Sequence, residues 1–250
     1  MGLITKDTRK TFIIRPSGRS TDLTAVNNHA YFTPVEKPNQ THPEFTTYDI
    51  SCNEDFSLHA KYHDWERIFE FFRDHPIAMG SFATKYVNKN LLNFNPEGKI
   101  RIRFSLMPQN KATLHEPNTS IIIDRIQAID RFIDAGYDVH VNFSPIIVYD
   151  GWLDDYTYLF ELLNVYVRNQ ETVFAECIFL THNFKKHTDN MNAHPKSEED
   201  LWMPAMQEPK TSQYGGENIR YKLGHKSEFI KRFINLHNSK IPWNKIRYIF

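Results

Sequence analysis

The stretch YDVHVNFSPI, at residues 137–146, decides the fold, because polar and apolar side chains alternate along it from residue 137 to residue 144. Its apolar positions recur at every second residue and therefore share one face of a strand. The opposite face carries the four polar side chains of Asp138, His140, Asn142 and Ser144. This pattern predicts a β-strand with one face against an apolar layer and the other in polar surroundings.

Two neighbouring segments alternate in the same way. KIRIRFSL, at residues 99–106, places isoleucine, phenylalanine and leucine opposite polar residues, and in SFATKY, at residues 81–86, every second residue is again small or polar. The polar rows of these two segments include Ser81, Lys85, Arg101, Arg103 and Ser105. Three strands thus each present a polar row.

Helical segments separate these strands. Apolar residues recur at helical spacing in the segments 65–72, 122–133 and 156–166. Strands that alternate with helices predict parallel βαβ units, and hence an α/β fold with a sheet or partial barrel. If helices cover the outside, the polar rows face a lumen, where a polar ligand would lie near the carboxyl ends of the strands. An antiparallel sheet with one solvated face is the alternative.

The chain divides into two regions. Residues 1–45 are rich in Thr, Asn and Pro and predict an irregular lead-in with one short strand at residues 11–15. Residues 46–250 carry the regular α/β pattern. Near the end of this region, Gly215 and Gly216 predict a hairpin turn, before a last helix and a closing strand.

Composition excludes several classes of protein. Lys plus Arg and Asp plus Glu each number 30, so no global charge draws the chain to nucleic acid or membrane, and any nucleic-acid contact must come from a local patch. No apolar run approaches the ~20 residues of a membrane span, which predicts a soluble, cytoplasmic protein. The two cysteines, Cys52 and Cys177, suit a reducing compartment and are too few for a four-cysteine metal site.

Seven segments follow one another along the chain: TYDISCNEDFSLHAKYHDW (47–65), SFATKY, IRIRFSLMP (100–108), EPNTS (116–120), AGYDVHVNFSPIIVYDGW (135–152), LTHNF (180–184) and QYGGENIRY (213–221). In this order they resemble the spore photoproduct lyase family of radical S-adenosylmethionine (SAM) enzymes. The resemblance covers residues 45–250 and is strongest where EPNTS is followed by a helix, AGY, a strand and a Gly-Trp pair.

The resemblance implies a fold and an activity. The fold would be a parallel-stranded partial (β/α) barrel of the radical-SAM type, with the first βα unit missing. Members of the family cleave SAM reductively at a four-iron–four-sulfur cluster. The 5′-deoxyadenosyl radical takes a hydrogen atom from a thymine dimer in DNA, the dimer separates, and a cysteine returns a hydrogen atom. DNA is therefore an expected partner.

The resemblance also assigns residues to roles. Cys52 matches the hydrogen-donor cysteine. The residues matched to SAM contacts are Asn53, Lys85, Ser105 and Ser144. Substrate is expected to meet His140 and Asn142 on the polar row, and the DNA-facing hairpin Tyr214, Arg220 and Tyr221.

The cluster motif of the family, CxxxCxxC, does not occur in the 250 residues. Because such clusters need cysteine ligands, we expect this polypeptide alone neither to bind the cluster nor to reduce SAM. We therefore predict a truncated or split family member, whose cluster lies on another segment or on a partner chain. The alternative is a catalytically inactive module that binds SAM or nucleic acid.

Other interpretations of single features stay open. Cys52 could be a small core residue, as we expect for Cys177. The tyrosines of the hairpin could be structural. A metal hydrolase is a further alternative, because two pairs of histidines have close spacing, but HAKYH lacks the glutamate of the zinc-protease motif. The pairs are His59 with His63 and His182 with His187.

Overall fold

The computed structural model describes residues 2–5, 11–17, 42–50, 55–211 and 216–250, the first two ranges as backbone only. The strands are β1 (Gly2–Thr5), β2 (Thr11–Ser17), β3 (Thr46–Ile50), β4 (Ala78–Thr84), β5 (Ile100–Ser105), β6 (Asp138–Ile146), β7 (Ala175–Phe179), β8 (Thr181–His182), β9 (Gln207–Thr211), β10 (Glu217–Tyr221) and β11 (Ile246–Ile249). The helices are α1 (Phe56–His59), α2 (Trp65–Asp74), α3 (Gln109–His115), α4 (Ile122–Asp134), α5 (Trp152–Tyr166), α6 (Phe184–Ala193), α7 (Pro195–Leu201) and α8 (Leu223–Lys240). Short 3-10 turns occur at Ala60–Tyr62, Lys89–Asn93 and Gln170–Thr172.

The main sheet contains eight strands in the order β1-β2-β3-β4-β5-β6-β7-β11. The six strands from β3 to β11 are parallel and curl into a half-barrel. Helices follow the strands because a parallel connection must cross over the sheet. The predicted α/β half-barrel is confirmed, and the three strands with polar rows pair in parallel rather than antiparallel.

The amino-terminal region is more regular than its sequence predicts. The short strand expected at residues 11–15 is part of β2, which pairs antiparallel with both β1 and β3. Ile14 lies opposite Ile50, so β2 covers the free edge of β3. That edge is where the family resemblance predicts a missing βα unit. Backbone groups of β3 that would otherwise be unpaired find hydrogen-bond partners there.

The hydrophobic core lies between the convex face of the half-barrel and the helices. The apolar positions of β5 and β6 point outward to α4 and α5, whose own apolar stripes face the sheet. Phe143 of β6 makes edge-on contacts with Phe160 of α5 and Phe233 of α8. Because this face takes the apolar residues, the polar rows are left on the concave face.

A second sheet of three strands, in the order β8-β10-β9, follows the strand β7 in the chain. β10 is antiparallel to β8 and to β9, with Ile219 opposite both His182 and Pro209. The predicted hairpin is therefore present, and its tip at residues 212–215 lies outside the described residues. None of the helices in the described ranges is long and apolar enough to cross a membrane.

Candidate functional site

The polar rows come together on the concave face because parallel pairing brings equivalent positions side by side. Three of the five register pairs between β5 and β6 join polar residues, and all six of these side chains except the half-buried Asp138 are buried. These pairs are Arg101 with Asp138, Arg103 with His140, and Ser105 with Asn142. Side chains at paired positions of neighbouring strands lie on the same face of the sheet, so opposite charges there are close enough to interact.

Arg103 is at the centre of the charged network. Its guanidinium donates to Asp49 Oδ1 at 2.7 Å and to Glu176 Oε2 at 3.3 Å. The Tyr248 hydroxyl donates to the same Glu176 oxygen at 2.7 Å. Burial opposes the charged form of Arg103, but the carboxylates of Asp49 and Glu176 raise its pKa. Burial alone would raise the pKa of Glu176, and Arg103 and Tyr248 hold it below its usual range.

A second ion pair lies one level below. Arg101 Nε donates to Asp138 Oδ2 at 2.6 Å, and His140 Nε2 contacts Asp138 Oδ1 at 2.9 Å. Burial opposes ionisation of Asp138, but these two partners lower its pKa well below the usual range. Burial lowers the pKa of His140, which Asp138 opposes only in part. His140 is therefore neutral at pH 7 and donates from Nε2.

Besides Glu176 Oε1, two buried acceptors on the concave face have no hydrogen-bond partner within the described part of the chain. They are the Nδ1 atom of His140 and the Oδ1 atom of Asn142. With Nε2 protonated, the neutral imidazole of His140 presents a lone pair at Nδ1. Buried polar atoms in native proteins are nearly always paired, so these two atoms fit a ligand that carries N–H or O–H donors.

The carboxyl end of β4 holds Lys85 in a network with the EPNTS segment. Lys85 Nζ lies 2.8 Å from Glu116 Oε1, and the other Glu116 oxygen accepts from Arg125 Nη1 at 2.8 Å. Arg125 is fully buried and also donates to the carbonyl oxygen of Ser105 at 2.8 Å. Glu116 therefore connects the end of β4 with the end of β5. Lys85 is one-third exposed, and its ammonium has two further donors.

The backbone at Lys85 is held from both sides. The backbone N–H of Lys85 donates to Asp55 Oδ2 at 2.7 Å, and Thr84 Oγ1 donates to Asp55 Oδ1 at 2.7 Å. The carbonyl oxygen of Lys85 accepts from the backbone N–H of Ser120 at 3.0 Å. These contacts fix where the Lys85 side chain leaves the strand.

The remaining residues matched to the cofactor are placed as follows. Ser105 is buried at the last position of β5, and Ser144 is half-buried near the carboxyl end of β6. Cys52 and Asn53 lie outside the described residues, in the connection between β3 and Asp55. Lys85, Ser105 and Ser144 are thus at the carboxyl ends of three adjacent strands.

The hairpin residues separate into different environments. Arg220 is partly exposed, and its Nε donates to Glu208 Oε1 at 3.1 Å. Tyr221 is 1% exposed, and its hydroxyl accepts from the backbone N–H of Val148 at 2.9 Å. Tyr221 is therefore a core residue with its hydroxyl already used, and Arg220 is the residue that reaches the surface. Tyr214 lies outside the described residues.

Comparisons with known proteins identify the family of this chain. The family model described as spore photoproduct lyase matches residues 24–250. The chain belongs to the spore photoproduct lyase family. A relative from Bacillus subtilis is 33% identical over 49% of this chain and 36% of its own length, and one from a Geobacillus species is 30% identical over 64% of this chain and 48% of its own. Both are named spore photoproduct lyase, and the chain thus spans less than half of each.

Solved structures of the family share the fold. A spore photoproduct lyase mutant with dinucleoside spore photoproduct superposes with a TM-score of 0.77 at 21% identity, over 99% of this chain and 78% of that one. Another mutant, with bound AdoMet and dinucleoside spore photoproduct, gives 0.76 at 22% identity, over 91% and 71%. The predicted family and half-barrel are both confirmed.

The iron–sulfur cluster of the family does not fit the residues present. Such clusters are held by three or four thiolates, and this chain has two cysteines. Cys177 is fully buried on the apolar face of β7, where burial raises the pKa of its thiol well above the usual value. It lies on the side of the sheet opposite to the polar rows and is the core residue that the sequence predicts.

Sequence reasoning missed several members of the concave site. Glu176 stands alone among apolar residues of β7, and a charged residue at an inward position of a buried strand is a signal that could have found it. Glu116 belongs to the recognised EPNTS segment, but its pairing with Lys85 and Arg125 has no local signal. Asp49 and Asp55 likewise find their partners only through the sheet.

Proposed function

We propose that this chain forms the SAM- and lesion-binding half-barrel of a spore photoproduct lyase that repairs thymine dimers in DNA. The iron–sulfur cluster would be carried by a further segment or a partner chain. The observation that carries the proposal is the concave face, which has Lys85 at the carboxyl end of β4 and two buried acceptors without partners, His140 Nδ1 and Asn142 Oδ1, on β6. Ligands of parallel α/β sheets bind at that edge.

The proposed SAM site uses Lys85 as its fixed cation. Its ammonium would pair with the carboxylate of the methionine moiety, since a charge-assisted contact is stronger than a neutral one. Glu116 keeps this ammonium at the end of β4, and Asp55 fixes the backbone beneath it. Ser105 and Ser144, with Asn53, would supply hydroxyl and amide contacts. One of the family structures contains AdoMet, which supports SAM as the ligand.

The lesion would lie against the polar side chains of the concave face, beside the cofactor. His140 Nδ1 and Asn142 Oδ1 are acceptors, and thymine presents an imide N–H that matches them. Cys52 is the proposed hydrogen donor, whose S–H would transfer a hydrogen atom to the thymine radical left after the dimer opens. Family structures with dinucleoside spore photoproduct support the choice of substrate.

DNA outside the lesion would meet the hairpin formed by β9 and β10. Arg220 is a partly exposed cation of this hairpin, and Tyr214 belongs to its tip. An arginine pairs well with a phosphate because its guanidinium can donate two parallel hydrogen bonds. Tyr221 would hold the hairpin against the barrel through Val148 rather than touch DNA.

Equilibrium dialysis with radiolabelled SAM tests the cofactor site without need of the cluster. We expect the wild-type chain to bind SAM and Lys85→Met to bind it about tenfold or more weakly, which corresponds to the loss of one charge-assisted hydrogen bond of about 1.5–3 kcal/mol. The matched control is Lys89→Met, because Lys89 is an exposed lysine four residues away. Equal binding by the wild type and Lys85→Met would refute the assignment of Lys85.

A further inference from the structure

A cluster of two histidines and a glutamate lies away from the concave face. We propose that His182, His187 and Glu198 form a binding site for a divalent transition metal of the zinc class. Their ligand atoms all lie within 4.8 Å of one another, and both His182 and Glu198 are buried. This inference does not depend on the proposed function, since none of the three residues belongs to the SAM or lesion site.

The three side chains converge on one point. His182 Nε2 lies 3.0 Å from Glu198 Oε2 and 3.1 Å from Oε1, and His187 Nδ1 lies 2.6 Å from Oε2. A tetrahedral zinc ion with ligands at about 2.0–2.2 Å holds its donor atoms roughly 3.3 Å apart. The histidine–carboxylate separations of 2.6–3.1 Å are all shorter than that spacing, so these side chains must move apart by some tenths of an ångström to admit an ion.

Local structure explains why these residues meet. His182 ends β8, and the turn to α6 is fixed by Asn183, whose side chain accepts from the backbone N–H of Lys186. This cap sets the start of α6 and places His187 in its first turns. Pro195 begins α7 and directs Glu198 back toward β8.

Neighbouring side chains hold both His187 and Glu198 in place. Trp202 stacks on it with ring centroids 3.9 Å apart, and the Asn190 side-chain amide donates to Glu198 Oε1. Groups outside the ligand shell that orient ligands in this way are typical of metal sites and strengthen them. Their presence distinguishes this cluster from a chance pair of surface histidines.

The donor set selects the metal. Two imidazole nitrogens and one carboxylate oxygen suit zinc and its neighbours in the first transition row, whereas magnesium and calcium prefer oxygen ligands alone. Bound to the ion, each histidine would present the lone pair of the ring nitrogen that now faces Glu198. Three protein ligands leave a fourth position for water.

The position of the cluster indicates a structural role. It joins β8, α6 and α7, and β8 pairs with β10 of the hairpin, where His182 lies opposite Ile219. Glu198 is the carboxylate that holds the ion, so the cluster itself has no second acid that could serve as a general base. The ion would hold α6 and α7 against the three-stranded sheet β8-β10-β9 and so make the β9–β10 hairpin more rigid.

Metal binding to the full chain tests the proposal. After removal of metals with a chelator, one equivalent of Zn²⁺ should bind in competition with a chromophoric chelator, and Co²⁺ should give visible absorption of a four- or five-coordinate site. Glu198→Gln and His187→Gln should each weaken Zn²⁺ binding by about 10–100-fold or more. Loss of a group that only supports a ligand already has an effect of this size. The midpoint of thermal unfolding should rise with Zn²⁺ in the wild type and not in these two variants.

The matched control is His225→Ala, which removes one exposed histidine of α8 and should leave binding unchanged. Equal Zn²⁺ affinity of wild type, Glu198→Gln and His187→Gln would overturn the proposal. If a variant does not fold, X-ray absorption of the zinc-loaded wild type decides. Nitrogen and oxygen ligands at about 2.0–2.1 Å support the site, and a sulfur ligand at about 2.3 Å overturns it.

Discussion

At the scale of single residues, Glu116 links two cations that would otherwise be unpaired near the candidate cofactor site. It is 6% exposed, and its two carboxylate oxygens contact Lys85 and Arg125 separately. Arg125 has no exposure to solvent, so its charge depends on this partner and on nearby carbonyl oxygens. Glu116 would therefore position the Lys85 ammonium and balance the charge of Arg125 without contacting a ligand itself.

The substitution Glu116→Gln should lower the free energy of unfolding by about 3–5 kcal/mol, because it leaves a buried arginine without its counter-charge. Urea denaturation measures this change. Glu171→Gln is the control, since Glu171 is exposed, and should change stability by less than about 0.5 kcal/mol. A loss at Glu116 no larger than at Glu171 would show that Arg125 is satisfied by carbonyl oxygens alone.

Gly80 in β4 is a second residue whose identity the packing requires. A methyl group there would lie 2.8 Å from Ile100 Cδ1 and 2.9 Å from both Ile50 Cδ1 and Phe72 Cδ2. We expect Gly80→Ala to destabilise the protein by about 1–3 kcal/mol through overpacking. The control is Gly224→Ala near the start of α8, where no atom lies within 4 Å of the added methyl. There, the change should be neutral or slightly stabilising, as thermal unfolding would measure.

At the scale of elements, the hairpin presents Arg220 beside Glu208, which competes with any phosphate for the guanidinium. Arg220→Gln should weaken DNA binding and reduce the slope of log affinity against log salt by about 0.9 for each phosphate that the guanidinium neutralises. Glu208→Gln should do the opposite and tighten binding, because it frees the guanidinium. Fluorescence anisotropy with a DNA duplex at several salt concentrations measures both.

A remote cation serves as the control for the hairpin. Lys240 ends α8 and pairs with Glu161, so Lys240→Gln removes the same charge from another part of the molecule. Its salt slope should equal that of the wild type. If Arg220→Gln and Lys240→Gln behave alike, the hairpin does not contact DNA through Arg220.

At the scale of the whole molecule, burial of ionisable groups makes folding depend on pH. Burial lowers the pKa of several histidines below the ordinary value of about 6.5. Because the unfolded chain then binds more protons, the free energy of unfolding should fall as pH decreases from about 7 to 5. The described histidines with a lowered pKa are His42, His75, His115, His140 and His237.

A further loss should follow at lower pH, since the pKa values of Asp130, Asp138 and Glu176 are also held below their usual range in the folded state. Their contribution is present above about pH 4 and is lost as pH falls through their folded pKa values. Urea denaturation between pH 2 and pH 7 measures both parts of the trend, and His140→Gln should flatten the part between pH 5 and pH 7. A stability independent of pH from 7 to 5 would contradict the neutral, buried state of these histidines.

The sequence by itself determined the family, the alternation of strands and helices in the half-barrel, and the polar faces of β4, β5 and β6. Local periodicity carries this information, because a strand must alternate and a helix must repeat its apolar stripe wherever it packs. It also placed Cys177 in the core. The roles of Cys52 and Asn53 as hydrogen donor and SAM contact stay predictions, since these residues lie outside the described part of the chain.

Only the tertiary structure decided how the polar residues pair. Arg103 meets Asp49 and Glu176, which are 54 and 73 residues away, because the curled sheet brings three strands around one point. The tertiary structure likewise decided that Lys85 pairs with Glu116 and that Tyr221 is buried. It also decided that Glu198 of α7 meets His182 and His187, a histidine pair that is visible in the sequence. Pairings between distant residues depend on register and curvature, and no local pattern of the sequence encodes these.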